Sequence, residues 1–152
     1  MPWRLIKYWL PVILWMCAIF TASADSHSYQ HSSRIFEPLL HWLFPSMPQS
    51  TIDKLHEILR KCCHLGEYSI LALLLWRAFS QPPGNWRLWS QIKVRRVIMI
   101  VMLYASTDEF HQLFVPSRTS RVTDVMIDTS GALLGLLALW LLQRCWKPSR
   151  QT

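Results

Sequence analysis

Hydrophobic residues in this chain gather into four blocks: Trp9 to Ala22, Leu65 to Phe79, Val97 to Val115 and Val125 to Leu142. A helix needs about 17 to 25 residues to cross the hydrocarbon core of a bilayer. The third and fourth blocks have that length directly. The first and second reach it once Leu5 and Cys62 to His64 are counted with them. The pattern predicts four transmembrane helices, and no period-two alternation suggests strands. The expected fold class is therefore all-α, an integral membrane four-helix bundle with an outer interfacial segment between helices one and two.

Polar and breaker residues divide the chain further. Asp25 to Ser33 is rich in Ser and His and predicts a loop. Ile35 to Phe44 is apolar, carries His41 and Trp42, and is bounded by Pro45 and Pro48. It is too short to span and reads as a segment lying at the outer interface. Thr51 is a candidate N-cap for an amphipathic helix with Ile52, Leu55, Ile58 and Leu59 on its apolar stripe. No breaker precedes Gly66, so this stretch is expected to run straight into helix two. Gln81-Pro82-Pro83-Gly84-Asn85 predicts a turn. Pro116 is expected to end helix three, and Thr123 is a candidate cap for helix four. The resulting organisation is a first transmembrane helix over 1–24, which is also a possible signal anchor, and an extracytoplasmic or interfacial segment over 25–60. A three-helix core follows over 61–143, with a cytoplasmic tail over 144–152.

Composition supports the membrane reading. Hydrophobic residues make up 51% of the chain and charged residues only 16%, against about a quarter charged in soluble domains. The net charge of +7 would suggest nucleic acid until it is mapped. Arg4 and Lys7 precede helix one. Arg77, Arg87, Lys93, Arg95 and Arg96 fall between or at the edges of helices two and three, and Arg144, Lys147 and Arg150 follow helix four. Short basic flanks stay cytoplasmic, and four spans put all three groups on the same side. Both termini are expected inside, in a multi-pass protein of a bacterial cytoplasmic membrane. Anionic lipid headgroups account for the basic excess, and no nucleic-acid partner is expected. Ala22-Ser23-Ala24 after a basic and apolar stretch also fits a signal-peptide cleavage site. With or without cleavage, residue 25 onward starts outside. The cysteines give no disulfide framework. Cys62 and Cys63 read as packing residues near a helix start, and the tryptophans as interfacial anchors.

The last third of the chain departs from this apolar background. Asp108, Glu109, His111 and Gln112 sit inside the third block, and Asp124 and Asp128 open the fourth, with Pro116, Arg118 and Arg121 between them. Ionisable groups at membrane depth cost about 2.5–3.5 kcal/mol each on insertion scales, so they face a bundle interior and mark function. Helix two contributes Lys61, His64, Glu67 and Tyr68, spaced three or four apart on one stripe. Asp108 and Gln112 are four apart, as are Asp124 and Asp128, whose stripe continues through Gly131 and Gly135. Small residues four apart let a neighbouring helix approach closely. The topology places all these groups in the extracytoplasmic half, where they predict a polar pocket roofed by Arg118.

These residues resemble a known family. Lys61-x-x-His64-x-x-Glu67-Tyr68-x-x-Leu71, then Asp108-Glu109-x-x-Gln112-x-Phe114-Val115-Pro116-x-Arg118, then Asp124 and Gly131-Ala132-x-x-Gly135, look like the VanZ-like family. These are small bacterial membrane proteins named for a member that contributes to resistance against the glycopeptide antibiotic teicoplanin. The resemblance covers roughly residues 50 to 140. Ser117 stands where the family usually has Gly, and Asp128 where it usually has Asn. The second departure adds a carboxylate to the pocket. The resemblance implies a role at the cell envelope without assigning an activity.

The candidate ligand-binding set is Lys61, His64, Glu67, Asp108, Glu109, Gln112, Arg118, Asp124 and Asp128. An arginine at an outer turn suits phosphate or carboxylate, which it can hold bidentately. His64 and Glu67 read first as an interhelical hydrogen-bond pair and second as a metal or proton-relay pair. Asp108 and Glu109 project about 100° apart, and the structural reading beside the functional one is a salt bridge to Arg118 or Lys61. The carboxylates could take a divalent cation, but the adjacent Lys and Arg favour internal neutralisation, so no metal and no cofactor is expected. His111 reads as facing the headgroups, and His27, His31, His41 and His56 lack metal spacing. Two function classes remain: a binding module for an envelope lipid or cell-wall-related ligand that affects glycopeptide susceptibility, and an intramembrane enzyme. The enzyme would use Asp108, Glu109 or His64 as acid or base on a lipid-linked phosphate or ester. A scaffold role is a third. The expected partners are membrane lipids and a lipid-linked or cell-wall ligand. The sequence leaves the oligomeric state open.

Overall fold

The computed structural model describes residues 2–24, 37–80, 89–114 and 122–145. The predicted loop at 25–33, the turn at 81–85, Pro116, Ser117, Arg118, Arg121 and the tail beyond Cys145 lie outside these residues. Among the described residues the fold is all-α and has no strand. Its helices are α1 (Pro2–Ala24), α2 (37–43), α3 (Gln49–Phe79), α4 (Gln91–Gln112) and α5 (Val122–Cys145).

The amphipathic stretch and the second apolar block form one 31-residue helix, as the missing breaker predicts. Gly66 sits within it with open space where a β-carbon would stand, so it costs propensity without breaking the helix. Thr51 does not cap α3. The helix begins two residues earlier, after Pro48 in an extended conformation with no side-chain cap. Thr123 likewise falls inside α5. At the other end of α4, Leu113 and Phe114 donate back to the Phe110 and His111 carbonyls. These short i to i+3 closures end the helix at Gln112, ahead of Pro116.

Contacts along the helices fix their directions. Leu65 and Ser69 of α3 meet Gly131 and Gly135 of α5, so these helices run parallel. Trp9 lies edge-on to Phe79 and Trp15 reaches Glu67, so α1 runs opposite to α3. Tyr104 bonds the Met16 carbonyl and Asp108 bonds Ser23, which sets α4 parallel to α1. The core gathers Val12 and Ile19 of α1, Tyr68, Leu71, Ala72, Leu75 and Trp76 of α3, Val97, Val101 and Ala105 of α4, and Ala132 and Leu136 of α5. α3 touches the other three long helices and forms the axis of the bundle.

The α3–α5 seam is close because α5 carries glycines. A methyl group on Gly131 would overlap the Leu65 carbonyl oxygen, and one on Gly135 would come within 2.8 Å of the Ser69 carbonyl oxygen. The Ser69 hydroxyl is 2.7 Å from its own Leu65 carbonyl and 2.6 Å from the Gly131 carbonyl across the seam. This is the small-residue packing expected from Gly131 and Gly135.

Two helices are long and apolar enough on their own to cross a membrane, Trp3–Ser23 and Val122–Cys145. α3 and α4 are long enough, at ~46 and ~33 Å for 31 and 22 residues. They carry, however, the charges Arg60 and Lys61 in the middle of α3 and Lys93, Arg95, Arg96, Asp108 and Glu109 toward the ends of α4. The outer surface of the bundle is apolar: Ile13, Leu14, Met99, Leu103, Leu133, Leu134 and Leu137 are all exposed. Three expectations need correction. Trp76 is no interfacial anchor. It is buried and stacks on Trp89 at 4.3 Å, with the Lys93 ammonium 4.7 Å above its ring. Cys62 and Cys63 do not pack inside; both are exposed free thiols. His111 does not simply face outward, because its ring leans on Phe20 at 4.4 Å.

The seam gives a direct test. Gly131→Ala must push two helix backbones apart and is expected to destabilise the bundle by about 1–3 kcal/mol. Gly66→Ala meets open space and is expected to stabilise it by up to about 1 kcal/mol. Thermal melts of both variants in detergent check the pair.

Candidate functional site

The middle of α3, the end of α4 and the start of α5 meet where the interior turns from aliphatic to acidic. Asp108, Glu109 and Gln112 on α4 and Asp128 on α5 are all buried, with Asp108 fully so and Asp128 1% exposed. Helical spacing puts them there. Asp108 and Gln112 are one turn apart on the α4 face that continues from Val97, Val101 and Ala105. Asp128 precedes Gly131 and Gly135 on the α5 face pressed against α3. The seam that buries the glycines therefore also buries this carboxylate.

Two polar groupings result. In the first, the Ser23 hydroxyl of α1 donates to Asp108 Oδ2 at 2.7 Å. Gln112 Nε2 donates to Ser23 Oγ at 2.5 Å and to the same Asp108 oxygen at 3.2 Å. In the second, His64 Nδ1 lies 3.5 Å from Asp128 Oδ1. The contact is too long for a strong hydrogen bond. Asp128 Oδ2, Asp108 Oδ1 and the Tyr68 hydroxyl have no hydrogen-bond partner. Unsatisfied polar atoms this deep cost about 1–3 kcal/mol each, and they concentrate where α3, α4 and α5 converge.

A narrow cleft opens onto the second grouping. Its walls are Arg60, Lys61 and His64 of α3, Glu109 and Gln112 of α4, and Asp124, Ile127 and Asp128 of α5. The enclosed space is about 10 Å³, room for one water-sized group. Ligand pockets usually run to several hundred Å³. Only the tip of a charged molecule can enter here. Lys61 stands at the rim and bonds Glu57 at 2.7 Å, both ends half-exposed. No three His, Cys, Asp or Glu side chains among the described residues are grouped as a metal ion would need.

Of the residues singled out in the sequence, Lys61, His64, Glu109, Gln112, Asp124 and Asp128 line the cleft together. Asp108 lies behind them, held by Ser23 and Gln112. Glu67 is not on the cleft wall; its backbone carbonyl receives the Trp15 indole at 2.9 Å. Arg118 lies outside the described residues. The sequence reading missed two members. Arg60 was hidden in a run of charged residues on an amphipathic helix, though it is four residues before His64 and so on the same stripe. Ser23 was read only as part of a cleavage signal.

Because Ser23 and Asp108 are joined inside the bundle, their substitutions should not add. Ser23→Ala alone is expected to cost about 1–3 kcal/mol by stripping a buried carboxylate of its donor. With Asp108→Ala already in place the cost should fall, leaving a coupling of about 0.5–3 kcal/mol. Denaturant unfolding of the two single variants and the double variant measures it.

No curated protein and no solved structure shows a significant match to the chain. The VanZ/LLP1 family profile matches residues 8–143, from the first turns of α1 to the last of α5. The chain belongs to the VanZ/LLP1 family.

Proposed function

We propose that this is a four-span protein of the bacterial cytoplasmic membrane, with both termini in the cytoplasm, that holds a charged group of an envelope lipid or cell-wall intermediate at its outer end. Through that contact it alters susceptibility to glycopeptide antibiotics, the property attached to the family's name. Two apolar helices and the family support the membrane setting. The inverted polarity of the bundle extends it to α3 and α4, since leucines face outward while Asp108, Glu109 and Asp128 face inward. Lipid tolerates the first arrangement and forbids exposing the second. Arg77, Lys93, Arg95, Arg96 and Arg144 gather at the opposite end from the cleft, which the positive-inside rule assigns to the cytoplasm.

The observation that carries the reading is the cleft, a buried acid floor under a rim with Arg60 and Lys61. Its size favours a headgroup presented from the membrane surface over a small molecule taken in whole. The family motif adds Arg118 to the candidate set. α1 stays as an integral span in this reading, because cleavage after Ala24 would remove Ser23 and the partners of Tyr104 and Asp108. The His64–Asp128 contact favours a second reading, in which the pair moves a proton during hydrolysis of a lipid-linked phosphate or ester.

Expression of the chain in a glycopeptide-sensitive host separates these. Binding predicts that Asp124→Asn and Arg60→Gln each lower teicoplanin tolerance while membrane abundance holds. Unchanged tolerance in both removes the binding role. Turnover of a labelled envelope lipid by purified protein, abolished by His64→Gln with the helix content intact, would replace binding with catalysis.

A further inference from the structure

We infer that the cleft takes the primary ammonium of a zwitterionic phospholipid headgroup, an ethanolamine-type lipid, with its phosphate resting on Arg60. The inference rests on the proposed orientation of the bundle and deepens the binding reading by naming the ligand class.

The floor selects the ammonium. Asp128 is 1% exposed; its Oδ1 lies 3.5 Å from His64 Nδ1, and its Oδ2 has no hydrogen-bond partner. Gln112 commits its amide nitrogen to Ser23 and Asp108, so only its carbonyl oxygen can serve the cleft. These acceptors meet at a space of one heavy atom. A primary ammonium is that size and carries three N–H donors. A trimethylammonium is several times larger and has none, so a choline headgroup fails on both counts. A phosphate or carboxylate placed there would face the Asp128 charge in a medium where like charges repel strongly.

The rim supplies the other half. Arg60 has no carboxylate partner among the described residues, whereas neighbouring Lys61 is engaged with Glu57. Arg60 precedes His64 by one turn of α3, just as Asp124 precedes Asp128 on α5. The cation therefore sits about 5.4 Å outward of the His64–Asp128 level, close to the reach of a two-carbon amine beyond its phosphate. A guanidinium is suited to phosphate oxygens. Arg60 above and Asp128 below reproduce the order of charges in the headgroup, with Asp124 at the level of Arg60 on the α5 wall.

The test uses the purified full-length chain, stripped of lipid and returned to micelles with equimolar phosphatidylethanolamine, phosphatidylcholine and phosphatidylglycerol. Native mass spectrometry then counts the lipid retained. The ethanolamine lipid should be retained on the order of tenfold over the choline lipid, as a size-selective pocket allows. Asp128→Asn should erase that preference, and Arg60→Gln should weaken all three lipids while keeping the order. Equal retention of ethanolamine and choline lipids by the native chain, or a phosphatidylglycerol preference, overturns the ammonium assignment and leaves headgroup binding standing. Retention of no lipid overturns both readings. If free phosphoethanolamine binds where the lipid does not, the lipid source is wrong. The native-chain comparison stands even if Asp128→Asn does not fold.

Discussion

The approach of α5 to α3 at Gly131 is the constraint from which the rest of the arrangement follows. With no side chain at Gly131 and Gly135, the two backbones come close enough for Ser69 to bond across them. That seam fixes the rotation of α5 about its own axis. A fixed rotation turns Asp128 inward, one turn before the glycines, and brings it against His64, one residue before Leu65. Any wider spacing would let water or lipid reach the carboxylate and would dissolve the cleft. Packing and polarity are thus a single feature here, since the glycines that hold the bundle together also determine where its acid is buried.

α1 closes the other side. It joins the bundle through three polar bonds at two levels: Trp15 to the Glu67 carbonyl and Tyr104 to the Met16 carbonyl at one, and Ser23 to Asp108 at the other. Val12 and Ile19 of the same helix fill the aliphatic core. Helix association in lipid gains little from the hydrophobic effect, because the tails are as apolar as the side chains, so polar bonds and close packing carry it. The family match includes most of α1, in keeping with a helix that finishes the site rather than merely leading the chain.

Much of this was legible in the residues. The all-α class, the uninterrupted run through Gly66, the packing of α5 through Gly131 and Gly135, and the meeting of His64, Gln112 and Asp128 all follow from spacing by three or four. Cap chemistry puts the start of α3 too late, at Thr51, and places Thr123 inside α5, because it is a weak guide where a residue such as Pro48 precedes the helix without a side-chain cap. Trp76 and His111 were misplaced for another reason. An aromatic ring is equally at home in an interface or in a core, and only its neighbours, Trp89 and Phe20, decide. Ser23 could not be assigned from sequence, since its partner Asp108 is 85 residues away. Arg60 could have been found, had the His64 stripe been followed one turn outward.

The central claim is that His64 of α3 and Asp128 of α5 face one another inside the bundle. Solid-state NMR on labelled protein in lipid bilayers measures this directly through the dipolar coupling between the imidazole nitrogen and the Asp128 carboxyl carbon. The account predicts a measurable coupling, since Nδ1 lies 3.5 Å from Oδ1 of that carboxyl. An undetectable coupling, with the carboxyl carbon instead in contact with acyl-chain protons, would contradict it.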